Sequence, residues 1–220
     1  DVVGVARERL DPDLVAGRDA RGDATRDLGV LESSVVLVLD ARADADRHAV
    51  NRWNLSRIGG AITFHVDHSV PKPLVEAVRC AVLAWNDAFL SAGRQGAVRC
   101  LAYTDAEFPE DYSPCDVRFN PIVMTEAPVL GYGPSVVDFR SGEILHGSIV
   151  LGLTGNLRSA ARPMDALEGM DRAVEAMSER SLMNLRRTVV HEVGHSLGLR
   201  HNFIASEDGK SSDMDYDVNW

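Results

Sequence analysis

His191-Glu192-Val193-Gly194-His195-Ser196-Leu197-Gly198-Leu199-Arg200-His201 is the stretch of this 220-residue chain in which residue type and spacing together specify chemistry. On a helix, His191 and His195 stand at i and i+4, so both imidazoles leave one face and can converge on a single ion, with Glu192 carried beside them. A continuing helix would swing later residues away. Gly198 can end it, because glycine reaches positive φ without a Cβ clash, and the turn brings His201 back as a third ligand. Three neutral imidazoles leave one position open to water, the arrangement of catalytic zinc sites; structural sites are closed by four protein ligands, often cysteines. A bare H-E-x-x-H arises by coincidence on soluble helices. The added glycine and third histidine at fixed spacing make coincidence a poor explanation.

These side chains need a helix to present them and a layer to carry that helix. The spacing predicts a helix from about 182 to 197, with Leu185, Val189, Val193 and Leu197 packing beneath it. Earlier, Ala61 to Val66 alternates as a strand, and Pro71 and Pro73 mark the entry to a helix. Leu74, Val78, Ala81, Val82, Trp85, Ala88 and Phe89 then recur at helical spacing until Gly93 closes it. Strands are expected at 98–103 and around 117–123, separated by an acidic, proline-punctuated loop that reads as solvated. The runs 131–138 and 143–151, joined by a short glycine-containing turn, predict an antiparallel hairpin. If its first strand is a sheet edge near the metal, its backbone can pair with an extended peptide; a hairpin that merely covers the core is the other reading. Residues 165–178 read as a helix whose Leu167, Met170, Val174 and Met177 belong to a core. His65 and His68 have no third partner at useful spacing, and His48 belongs to a solvated turn. Residues 1–56 read as a lead-in or the tail of a preceding domain, charged up to Gly29 and then carrying one strand at Val35 to Leu39; residues 57–220 form the catalytic domain.

Composition agrees with a soluble enzyme domain. At 45% hydrophobic and 25% charged, the chain can bury a core of its own. Its 33 acidic against 23 basic residues give a net charge of −10, which argues against a nucleic-acid partner. No apolar run reaches membrane-spanning length. Cys80, Cys100 and Cys115 have no metal-type spacing; one disulfide plus a free thiol and three buried thiols both stay open, with the thiols favoured. The chain opens at Asp1 without a charged and apolar leader, so any export signal lies outside this sequence or never existed. Oligomeric state is not legible.

After His201 the chain runs polar to Met214-Asp215-Tyr216. The acids of 206–213 lack EF-hand order, so a calcium site is not supported. A methionine in a turn soon after a three-histidine motif is similar to the second half of the metzincin signature, where the turn is an apolar floor under the metal. Together with Trp85 to Phe89, Tyr132 to Asp138, Arg140 to Ile144 and His191 to Phe203, it resembles a large family of bacterial zinc-dependent metallopeptidases of that clan, over about residues 52–216. The resemblance implies an α+β, zincin-like fold: a mixed twisted sheet of about four to five strands with an antiparallel edge strand, packed on two long helices that include the active-site helix. It implies one zinc ion held by His191, His195 and His201, Glu192 as the acid/base, Met214 as the turn methionine with Gly198 as structural support, and Tyr216 near the metal. Gly133, Pro134 and Ser135 are then expected to touch substrate. The implied activity is endopeptidase cleavage of peptide or protein substrates in a secreted or periplasmic setting. A catalytically idle zinc-binding or adhesion module, and a zinc hydrolase of non-peptide amides or esters, are the alternatives. Only four residues follow Tyr216, where metzincins continue through a further helix, so the lower subdomain is expected to be short or truncated.

Overall fold

The computed structural model of the chain describes residues 51–127, 129–153, 174, 177–202 and 212–215. The strand predicted at 35–39, most of the helix predicted over 165–178, and Tyr216 lie outside the described residues.

The central layer is a five-stranded sheet. Strand β2 (Ile62–Val66) pairs in parallel with β3 (Val98–Ala102) on one side and β4 (Asn120–Thr125) on the other. Strand β8 (Ile149–Gly152) adds in parallel to β4, and the short β5 (Gly131–Tyr132) closes the sheet antiparallel to β8, giving the order β3-β2-β4-β8-β5. This is the expected mixed sheet with an antiparallel edge. Phe64, Val66, Ile122, Ile149 and Leu151 are fully buried in it, and each such side chain stabilises by about 1.5 to 3 kcal/mol relative to exposure.

The connection from β2 to β3 is helical, as parallel pairing requires. A 3₁₀ turn (Lys72–Leu74) entered at Pro71 leads into α1 (Val75–Leu83) and α2 (Trp85–Ser91). The single long helix expected here is therefore interrupted at Ala84. The interruption falls just before Trp85, whose indole N–H donates to the Val190 carbonyl of α3 (Glu179–Ser196) at 3.0 Å. Gly93 ends α2 at φ 79°, as the sequence predicts.

A second, smaller sheet was not anticipated. Strands β6 (Ser135–Asp138) and β7 (Glu143–Gly147) form the antiparallel hairpin, turning at Gly142 with φ 73°, and β1 (Arg52–Trp53) joins β7 in parallel. The predicted pair of long runs is thus divided, with 131–132 and 149–152 in the large sheet and 135–138 and 143–147 in the small one. Trp53, within the range read as a lead-in, is buried, and its indole N–H donates to the Ser196 carbonyl at 2.9 Å.

The loop between β3 and β4 is less solvated than its composition suggests. The Arg79 guanidinium holds Asp105 through two bonds of 2.7 and 2.8 Å, pinning the start of the loop to α1. Farther on, Phe108, Tyr112 and Phe119 surround His65 with ring centroids 5.1 to 6.0 Å away, and His68 stacks on Tyr103. Burial holds the His65 pKa below its ordinary 6.5, against a hydrogen bond to the Asn120 backbone. An unfolded chain therefore takes up a proton near pH 6.5 that folded His65 resists, and stability contributed by the neutral ring is lost as pH falls below that value. His65→Phe should narrow the difference in Tm between about pH 7.5 and about pH 5.5, measured by thermal melts.

All three cysteines are free thiols, but only Cys100 is buried; Cys80 and Cys115 are exposed. Among the described residues, no helix is long and apolar enough to cross a membrane.

Candidate metal centre

Helix α3 begins at Ser178, whose hydroxyl accepts the Ser181 N–H at 3.1 Å, with Glu179 favourably placed in the first turn. Leu185, Val189 and Val193 are fully buried along one stripe, which fixes the rotation of the helix about its axis. That rotation sets His191 and His195 on a common side. The helix stops as predicted: Gly198 takes φ 101°, its N–H bonds the His195 carbonyl at 2.9 Å, and the Leu199 N–H bonds the Gly194 carbonyl at 2.9 Å. This pair of bonds is a Schellman closure. A Cβ at Gly198 would stand 2.7 Å from the Asn51 carbonyl oxygen, so neither the φ nor the space suits another residue.

The turn brings His201 back. The Nε2 atoms of His191, His195 and His201 lie 3.0 to 3.1 Å from one another. Three nitrogens so spaced share a point about 2 Å from each, the length of a metal–imidazole bond. His191 Nδ1 stands 2.6 Å from the Asp213 carbonyl and His195 Nδ1 2.9 Å from the Leu199 carbonyl. A carbonyl only accepts, so each Nδ1 carries the proton and each Nε2 presents its lone pair to the shared point. Burial, more than neighbouring charge, holds the His195 and His201 rings below their ordinary pKa and keeps them neutral, as ligands must be. The three histidines are positioned to bind a metal ion, and they are the one such group among the described residues.

Glu192, next to His191 in the helix, is buried, and that burial pushes its carboxyl up to about 7, against a hydrogen bond from the Gly133 backbone that favours the charged form. A carboxyl poised near neutrality in a dry site can exchange a proton with a reacting group.

Met214 sits in a turn closed by the Asp215 N–H on the Ser212 carbonyl at 2.9 Å. The turn is tied to the segment carrying His201, since the Asn202 N–H donates to the Met214 carbonyl at 2.6 Å. Met214 is fully buried against Gly194: a Cβ there would lie 2.2 Å from Met214 Sδ and 2.8 Å from Trp85 Cζ2. Glycine inside a helix costs about 1 kcal/mol relative to alanine, and Gly194 tolerates that cost because sulfur and indole occupy the space between the turns bearing His191 and His195. Gly194, Trp85, Trp53 and Gly131 escaped notice in the sequence as parts of this site. The mid-helix glycine was a signal of close approach; the tryptophans gave none beyond their apolar bulk.

Of the three residues expected to touch substrate, Gly133 lies against Glu192, 2.3 Å separating its would-be Cβ from the Glu192 carbonyl oxygen. Pro134 and Ser135 lead the chain away into the small sheet, the Pro134 carbonyl accepting the Ser148 N–H at 2.9 Å and Ser135 facing Gly147 in the β6–β7 ladder.

Residues 173–215 match the Met-zincin family, a segment that contains the three histidines, Glu192 and Met214. No curated protein and no solved structure matches the chain.

Proposed function

The metzincin-clan assignment that residues 173–215 support is the premise from which we propose a zinc-dependent endopeptidase. The observation that carries this reading is the convergence of three imidazole Nε2 atoms within 3.1 Å of one another, next to a helix position that carries the buried Glu192. Three imidazole donors, two of them with tautomers fixed by backbone carbonyls, suit zinc, which favours nitrogen ligands and a fourth, open position. His191, His195 and His201 would hold the ion, with Met214 as the apolar floor of the clan's methionine turn. When bound, zinc supplies Lewis acidity, polarising a carbonyl and lowering the pKa of a water ligand to about 7. Glu192 takes the proton of the attacking water and returns it to the leaving amine. The β5 edge offers main-chain groups to an extended substrate. An extracytoplasmic location is proposed from the family resemblance.

Tyr216, two positions beyond Met214, is assigned as a donor to the developing oxyanion. Tyr216→Phe should then lower kcat by about 10- to 1000-fold with zinc content unchanged, in line with removal of one oxyanion donor. Full activity in that variant would end the role.

The activity itself is tested by digestion of casein and of a peptide library with the zinc-loaded protein, before and after chelation. Chelator-sensitive cleavage that returns on adding zinc is expected. A zinc-loaded protein that cleaves nothing would be a binding module, and one that hydrolyses only non-peptide amides or esters would be a different hydrolase.

A further inference from the structure

We propose that Gly133 is a positioning residue for the acid/base group: its main-chain N–H holds the Glu192 carboxylate in place, and the absence of side chains at Gly131 and Gly133 lets the edge strand sit close enough to do so. The inference rests on the reading of Glu192 as the proton acceptor.

The register of β5 supplies the direction. Gly131 faces Leu151 and Tyr132 faces Val150, while the Gly152 N–H donates to the Leu130 carbonyl at 3.0 Å. Successive residues of an antiparallel pair alternate between bonding the partner strand and facing away from it. Leu130 and Tyr132 therefore turn their backbone groups to β8, and Gly131 and Gly133 turn theirs to the opposite side. On that side, the Gly133 amide meets Glu192.

The fit is close enough to exclude other residues. A Cβ on Gly131 would come within 2.9 Å of Thr188 Cγ2 and 3.0 Å of Glu192 Cγ, and one on Gly133 within 2.3 Å of the Glu192 carbonyl oxygen. The last contact sets a Cβ, whose position the backbone fixes, against a backbone oxygen and cannot be relieved by a rotamer change. Any side chain at 133 would lift the strand from α3 and carry the N–H out of reach. The carboxylate has about four lone-pair sites on two oxygens, so one bond to the amide leaves the second oxygen to take a proton. A glutamate side chain with several rotatable bonds gains orientation from such an anchor, and misplacement by about 1 Å can cost about 100-fold in rate.

The test removes the N–H with little change of shape, and weakens the Tyr132 carbonyl as an acceptor. Incorporating glycolate in place of Gly133 in the full chain converts the amide to an ester of the same shape. Zinc content, Tm, kcat and KM are compared with the parent and with Glu192→Gln made alongside. A hydrogen bond to a charged group predicts a fall in kcat of about 10- to 150-fold, with KM and zinc content unchanged. Parent-like kcat in the ester chain, while Glu192→Gln is inactive, would overturn the positioning role and leave the acid/base reading standing. An ester chain that loses zinc or melts far below the parent would mark a purely structural bond, which also overturns it. Turnover surviving in Glu192→Gln would remove the acid/base reading, and this inference with it.

Discussion

Glu192→Gln is expected to keep one zinc ion per chain and lose about 100- to 10,000-fold in peptide turnover, the usual contribution of a positioned proton acceptor. The amide is nearly isosteric with the carboxylate and can still accept the Gly133 N–H through its oxygen, so the helix and the three imidazoles stay where they are. What disappears is the capacity to take a proton from water. The same substitution should raise stability in the metal-free protein. Burial lifts the carboxyl from 4.5 to about 7, so folding favours its neutral form and stability is progressively lost as pH rises from the lower value through the higher. An uncharged glutamine carries no such loss. Metal-free Glu192→Gln should therefore melt above the parent at about pH 8, with the gap closing below about pH 4.5. A variant that turns over peptide at the parental rate would sink the assignment of Glu192.

His201→Ala is expected to abolish stable metal binding. Removing a group that merely supports a ligand costs about 10- to 100-fold in affinity, and removing one of three ligands should exceed the upper figure. His191 and His195 share a rigid helix and survive the change in place, so the variant isolates the turn's contribution. Competition with a chromophoric chelator measures it. Gly198→Ala should move affinity in the same direction with His201 intact, because φ 101° and the Asn51 carbonyl at 2.7 Å both oppose a side chain there. Parental affinity in His201→Ala would refute the three-imidazole site.

The parts of this molecule governed by local periodicity were legible in the sequence. His191 and His195 at one-turn spacing with Gly198 beyond them placed the helix, its end and the returning ligand, because each depends on a few neighbouring dihedrals. The alternating run at β2 followed from side-chain rhythm in the same way, whereas the antiparallel edge at β5, two residues long, was implied by the family resemblance. What was hidden depends on contacts between distant segments. Strand β1 is two residues long and has no rhythm of its own; only pairing with β7 makes it a strand. The interruption at Ala84 carries neither glycine nor proline and is seen only with Trp85 reaching α3. The acids and prolines of the β3–β4 loop masked its aromatic residues, which fold in against His65. Gly131 and Gly133 stood in plain view, but what presses on them comes from a helix some sixty residues later.

The bond from the Trp53 indole to the Ser196 carbonyl joins positions 143 residues apart. Contacts of such separation are slow to form, because a long loop must close before they return any energy. On the ribosome, an emerging chain has β1 long before the histidine-bearing helix it will dock against has been translated. The three-histidine site can thus close only after synthesis has passed residue 201.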